Sequence, residues 1–360
     1  MTHHRNFKLT HRQSHRDILA EMHSQTGLPL SRRSFLLGGA LLAANPAYPD
    51  DLTPLGCSPC DPTIACFEPY DFVDSGGRSH RIYVAGVGPP VLLLHELPGL
   101  TSADISLAKR LTAEGFTVLL PLLFGKPGDS RTFHNLLDEC GRSKFDCNGS
   151  GRTPHPVQWI REFCAHVAHR WSSPRGMGAI GMCLTGAFPL AILEVKNVTA
   201  PVLCQPTSPS GLLSFLRFTG NSPNIGIATA DLNHARDDSQ VPILAIRYAG
   251  DWRCPNGRFN ALSKRFTDRL FRLDLDGSHK HSSLGANFSC LAYREVRAFL
   301  RQRLVDPNER FPVRSRPNAI DPPPIRDTGC QLPQPFLNCK IDAWRRLPFR
   351  IEFDTLRACE

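Results

Sequence analysis

The sequence has no block of Lys and Arg interleaved with aromatic residues, which argues against a nucleic-acid platform although the formal net charge is +9. That charge is uneven: residues 1–44 hold six Lys/Arg against two Asp/Glu, so +4 of it sits in the leader. No apolar run approaches the ~20 residues a helix needs to cross a bilayer, and the one from Phe35 to Ala44 is about half that. Internal repeats are missing, which removes repeat architectures. The "CSPC" of 57–60 has metal-ligand spacing, but no second pair or nearby histidines complete a zinc site. No strand–helix–strand unit follows it, as a thioredoxin-like redox motif would require.

What is present is a chain of 360 residues, 41% hydrophobic and 21% charged, enough for one large domain or two modest ones. Its 13 cysteines are many for a cytosolic protein and fit disulfides in an oxidising compartment. Setting Cys183 aside leaves an even number, consistent with one free thiol and up to six bridges. The compartment has a separate signal. Arg32-Arg33 precede Phe35-Leu36-Leu37, a short apolar run and small residues near Ala44, which resembles a twin-arginine export signal. This implies the export machinery as a partner, a periplasmic or extracellular location and no membrane span in the mature protein. A cytoplasmic protein with a basic tail is the alternative. His3, His4, His11 and His15 in the leader read as solvated.

Residues 45–70 read as loop. Strands are expected at 81–86, 89–96, 116–121, 178–182, 200–206, 241–248 and 270–275. Helices are expected from a Thr101/Asp104 capping box, and at 155–171, 184–195, 256–267 and 289–304. Cys164 falls on the apolar face of 155–171 and reads as core. The interval 207–240, rich in Ser, Gly, Asn and Asp, reads as an insertion or lid. The chain divides into a leader (1–44), a Cys-containing linker (45–77), an α/β domain (78–305) and a C-terminal extension (306–360) with nine prolines. Alternating strands and helices predict an α/β fold, with a mostly parallel central sheet covered by helices on both faces.

The chemistry centres on "GAIGMCLTGAF", residues 178–188. An apolar strand runs into Cys183, small residues flank the turn, and an apolar run follows. That is the pattern of a nucleophile elbow, although a buried cysteine there can also be packing. A helix N-terminus behind the thiol would favour the thiolate. The strand "ILAIRYAGDW" ends at Asp251, and "LDLDGSHKHSSLG" ends a later strand with two histidines. Nucleophile, acid and histidine thus come in α/β-hydrolase order, each at a strand C-terminus.

"LLLHELPGL" at 92–100, with Glu96 after His95, makes the pattern more specific. Together with "GMCLTG" it resembles the dienelactone hydrolase family, α/β-hydrolases with cysteine in place of serine. The resemblance covers roughly 78–303 and implies an α/β-hydrolase fold. It implies Cys183 as nucleophile, Asp251 as acid, Glu96 as the partner of the resting thiol, and the Leu97 and Leu184 amides as oxyanion hole. His281 is the preferred base because "HSSLG" resembles the family's run; His279 stays the alternative. The chain departs from the family at Thr185, where glycine is common, and in lacking a clear carboxylate-binding arginine. Lys126, Arg253 and Lys280 are candidates for that role. The expected activity is hydrolysis of a small-molecule ester or lactone through a thioester, with no metal or organic cofactor required. The alternative is a non-catalytic binding or envelope protein on the same fold.

Overall fold

Strand β3 (Pro90–Leu94) is PVLLL and is buried at every position, as a continuous apolar run in a doubly covered sheet should be. In the computed structural model, residues 63–128, 153–207, 224–312, 314–317 and 319–328 are described. The leader, Cys57, Cys60, Cys140, Cys147, residues 208–223, Cys330, Cys339 and Cys359 lie outside them.

The other strands are β1 (Glu68–Val73), β2 (Ser79–Ala85), β4 (Thr117–Pro121), β5 (Met177–Met182), β6 (Val198–Cys204), β7 (Ile243–Gly250), β8 (Leu270–Ser278) and β9 (Arg316–Pro317). The helices are α1 (Ser102–Ala113), α2 (His155–Arg170), α3 (Phe188–Ala191), α4 (Thr229–Asp237), α5 (Asn256–Phe266) and α6 (Cys290–Leu304). One sheet holds all the strands in the order β1-β2-β4-β3-β5-β6-β7-β8-β9. The run from β4 through β3, β5, β6 and β7 to β8 is parallel. The β1–β2, β2–β4 and β8–β9 pairs are antiparallel. This is the α/β-hydrolase fold.

Two apolar layers form because side chains alternate across each strand. Leu92 and Leu94 face Val157, Ile160, Phe163 and Val167 of α2. Val91 and Leu93 face the opposite layer, with Leu107 and Leu111 of α1 and Val296, Phe299 and Leu300 of α6. The Thr101/Asp104 capping box opens α1, and the Ser289 hydroxyl accepts from Ala292 N at the start of α6. Among the described residues no helix is long and apolar enough to cross a membrane.

Four expectations change. The loop reading of 45–70 misses β1, a polar edge strand whose burial is confined mainly to Phe72 and leaves little periodic signal. The expected helix 184–195 is a 3₁₀ turn, Cys183–Thr185, followed by the four-residue α3, because Pro189 leaves an N–H out of the ladder. The presumed irregular interval 207–240 contains α4, with Ala235 its buried residue. Part of the C-terminal extension joins the sheet: β9 pairs with β8, and Ile325 bridges Leu275.

The cysteine arithmetic also fails. Cys164, Cys204 and Cys254 are free and buried alongside the free Cys183, so Cys183 is not the one unpaired thiol. Cys164 sits in the core as expected. Burial pushes the Cys164 and Cys254 thiols up to about 12 and raises Cys204 as well, so these three behave as small apolar residues.

Candidate active site

Cys183 follows directly on β5, with φ at 53°, a left-handed conformation that costs a non-glycine residue about 1–3 kcal/mol. Local packing holds it there. A Cβ on Gly181 would lie 2.2 Å from the Thr185 carbonyl oxygen, and one on Gly186 would lie 2.5 Å from Pro206 Cα. Thr185 staples the turn. Its Oγ1 accepts from Met182 N at 3.0 Å, and its hydrogen can serve Met182 O at 2.9 Å or Leu94 O at 3.0 Å. The departure from glycine at 185 is thus a tie between the elbow and the end of β3. With α3 only four residues long, little helix dipole is available behind the thiol.

Asp251 and His281 come together from the ends of β7 and β8. His281 Nδ1 donates to Asp251 Oδ2 at 2.6 Å, and both side chains are buried. Asp251 Oδ1 accepts from Arg253 N at 3.0 Å. Two buried arginines clamp that turn. Arg247 donates to Cys254 O at 3.1 Å, and Arg258 to Arg253 O and Pro206 O, both at 2.7 Å. Arg247 is itself held by Asp274, shared with Arg272. The His281 amide donates to Asn287 Oδ1 at 3.0 Å, fixing the loop after β8.

Glu96, Cys183 and His281 converge: a carboxylate oxygen, the sulfur and a ring nitrogen all lie within 4.8 Å of one another. Burial alone would push His281 down, but the charge of Cys183 and the hydrogen bond to Asp251 outweigh it and raise His281 to about 10. His281 is therefore held as the imidazolium near neutral pH. Burial raises Glu96, opposed by the nearby His281 charge. The Ser282 hydroxyl donates to Glu96 Oε1, and Gln205 Nε2 approaches Oε2 at 3.4 Å. Gln205, with φ at 36°, also accepts the Ser283 hydroxyl at 2.7 Å, linking Glu96 to the His281 loop.

A residue model for the dienelactone hydrolase family matches positions 83–276, just over half of the chain. The chain belongs to that family. As a member, it is a hydrolase. Among solved structures, a candidate dienelactone hydrolase of Klebsiella pneumoniae aligns at 14% identity over 66% of this chain and 98% of its own, with TM-score 0.48. A puromycin-hydrolysing peptidase of Mycobacterium tuberculosis aligns at 15% over 66% of this chain and 39% of its own, with TM-score 0.48. A Pyrococcus furiosus esterase aligns at 13% over 66% and 93%, with TM-score 0.47. A search of curated proteins finds no match.

Within this family member, the structure brings Cys183, Asp251, His281 and Glu96 into one cluster. His279 is exposed, with φ at 59°, and stands outside it. Leu97 and Leu184 follow Glu96 and Cys183 in the chain, and neither amide donates in the backbone hydrogen bonds of the surrounding turns. Arg253 is exposed and stacks on Trp252 with its guanidinium 4.9 Å from the ring centre, and its charge also acts on Glu96. Lys126 is exposed on the turn after β4, and Lys280 lies 5.5 Å from the Tyr248 ring centre.

Sequence reasoning missed Thr185, Gln205 and Ser282 as supports, and His95 too. His95 Nε2 accepts from Leu123 N at 3.0 Å, which puts its proton on Nδ1, facing Glu96 O at 3.3 Å. Burial lowers His95 to about 4, so it stays neutral and holds the glutamate's backbone. Single positions such as these carry no periodicity; only the motif "HE" hinted at one of them.

Asp104, the capping residue of α1, is buried, and that burial together with the Glu96 charge raises it to about 7. The folded state then holds a proton that the unfolded chain has lost, so stability falls as pH rises from about 4 to about 7. Asp104→Asn is expected to flatten that decline, measured as urea unfolding free energy across the same pH range.

Proposed function

We propose that the chain is an exported, cysteine-dependent hydrolase of small esters or lactones. The observation that carries the reading is the Asp251–His281 hydrogen bond at 2.6 Å beside a cysteine held in a left-handed elbow. The Cys183 thiolate attacks the carbonyl carbon, and the developing oxyanion is received by the Leu97 and Leu184 amides. The His281 imidazolium protonates the leaving alkoxide as the C–O bond breaks, leaving a thioester on Cys183. Neutral His281, oriented by Asp251, then takes a proton from water. The hydroxide displaces the thiolate, releasing the acid. In a lactone the alcohol stays tethered to the acyl group. Glu96, fixed by Ser282 and Gln205, balances the imidazolium between turnovers.

The test is stoichiometric. Purified protein given p-nitrophenyl acetate should release a burst of p-nitrophenol equal to the titrated Cys183 thiol, and a panel of lactones and esters should identify the preferred acyl group. No burst and no turnover across the panel would favour the binding-protein reading.

Export is supported by the twin-arginine resemblance of the leader and by Cys66 and Cys290, which are each disulfide-bonded. Arg32→Lys with Arg33→Lys is expected to keep folded, active protein in the cytoplasm. Cell fractionation reads the outcome, and unchanged export of the double variant refutes this part of the proposal.

A further inference from the structure

The Glu96–Cys183–His281 cluster has the donor set of a metal site as well as that of a hydrolase. It combines sulfur, imidazole nitrogen and carboxylate oxygen, all buried and all within 4.8 Å. No other grouping of three His, Cys, Asp or Glu side chains of this kind occurs among the described residues. His281 Nε2 is buried with no nitrogen or oxygen partner and lies toward the Cys183 sulfur, while Nδ1 is committed to Asp251. A carboxylate on the far ring nitrogen is the usual outer support of a zinc-ligating histidine, because it fixes the ring and leaves the other nitrogen free. Glu96 has its own support from Ser282 and Gln205. Three protein ligands with a fourth position left to water is the coordination of an accessible zinc site.

We infer that this cluster binds Zn²⁺ reversibly and that the ion switches hydrolysis off by ligating the nucleophile. Zinc–ligand distances of about 2.0–2.3 Å put tetrahedral donors roughly 3.3–3.8 Å apart. The observed limit of 4.8 Å therefore calls for a contraction of about an ångström, within reach of side-chain rotation at Cys183 and Glu96. Soft sulfur and imidazole ligands favour zinc over magnesium or calcium. On binding, Zn–S, Zn–N and Zn–O bonds form, the one proton shared by Cys183 and the far ring nitrogen of His281 leaves to solvent, and the ion sheds water.

The binding half of the inference is independent of ester turnover and the switching half rests on the proposed hydrolysis, so the test reads binding first. Metal-free, full-length protein is titrated with zinc chloride, and separately with Co²⁺ as a spectroscopic probe. Wild type should take up one ion per chain more than Cys183→Ala and show a thiolate-to-cobalt charge-transfer band that the variant lacks. Glu96→Gln should weaken the ion's affinity at least about tenfold. If wild type hydrolyses esters, zinc should inhibit it and a chelator should restore the rate. Equal metal uptake and identical cobalt spectra in wild type, Cys183→Ala and His281→Gln overturn the inference, even in an active enzyme. The charge-transfer band in a protein without esterase activity supports it while removing the hydrolase reading.

Discussion

Cys183→Ala is expected to leave no hydrolysis above that of a protein-free control, whereas His281→Ala should lose at least about 10²-fold in turnover, within the range for general acid–base catalysis. In the proposed mechanism the alanine chain has no nucleophile, and water held beside His281 is a poor substitute for a sulfur anion. Losing His281 is less absolute because the sulfur remains, but the leaving alkoxide then departs without a proton donor. His279→Ala, by contrast, removes an exposed side chain outside the cluster and should stay near the wild-type rate. The pH profile adds a second readout. Because the Cys183 charge and Asp251 hold the His281 imidazolium up to about 10, the rate should persist into alkaline solution and fall only as His281 loses its proton there. A rate that vanishes in His279→Ala and survives in His281→Ala would transfer the role; full activity of Cys183→Ala would remove the mechanism.

The parts of this site that the sequence made legible are those tied to strand ends. Cys183, Asp251 and His281 each follow an apolar run, and apolar runs are what periodicity detects. The supports were not legible, for reasons specific to each. Thr185 reads as a flaw in the turn until its hydroxyl is seen bonding back toward β3. Gln205 gains its role by lying in a left-handed conformation at the end of β6, and nothing in "LCQPT" signals that. The helix expected after the nucleophile had an apolar composition that fits helix or buried turn equally, and Pro189 decided for the turn. Cysteine counting misled because compartment arguments treat thiols as cross-links, while Cys164, Cys204 and Cys254 are packed as core. Edge strands β1 and β9 stayed hidden because they bury little.

Gly181→Ala and Gly186→Ala are expected to inactivate the enzyme, and for a reason separable from loss of stability. A methyl at 181 would meet the Thr185 carbonyl oxygen at 2.2 Å, and one at 186 would meet Pro206 Cα at 2.5 Å and the Cys183 carbonyl oxygen at 2.9 Å. These obstacles are backbone atoms of the elbow and of the segment after β6 that packs on it, so relief requires moving the turn that carries Cys183 or its backing. Overpacking of this kind costs about 1–3 kcal/mol, and a displaced nucleophile costs turnover in addition. Gly178, at the other end of the same strand, supplies the contrast. Its added methyl would meet Leu300 Cδ2 at 2.7 Å and Leu304 Cδ1 at 3.3 Å, the ends of flexible side chains on α6. Gly178→Ala should therefore lower the melting temperature while keeping kcat near wild type. The elbow variants should lose kcat by more than tenfold even where they remain folded by circular dichroism. Equal loss of kcat at 178 and 181, in proportion to the loss of melting temperature, would mean that the glycines serve packing alone and that the elbow does not set the reactivity of Cys183.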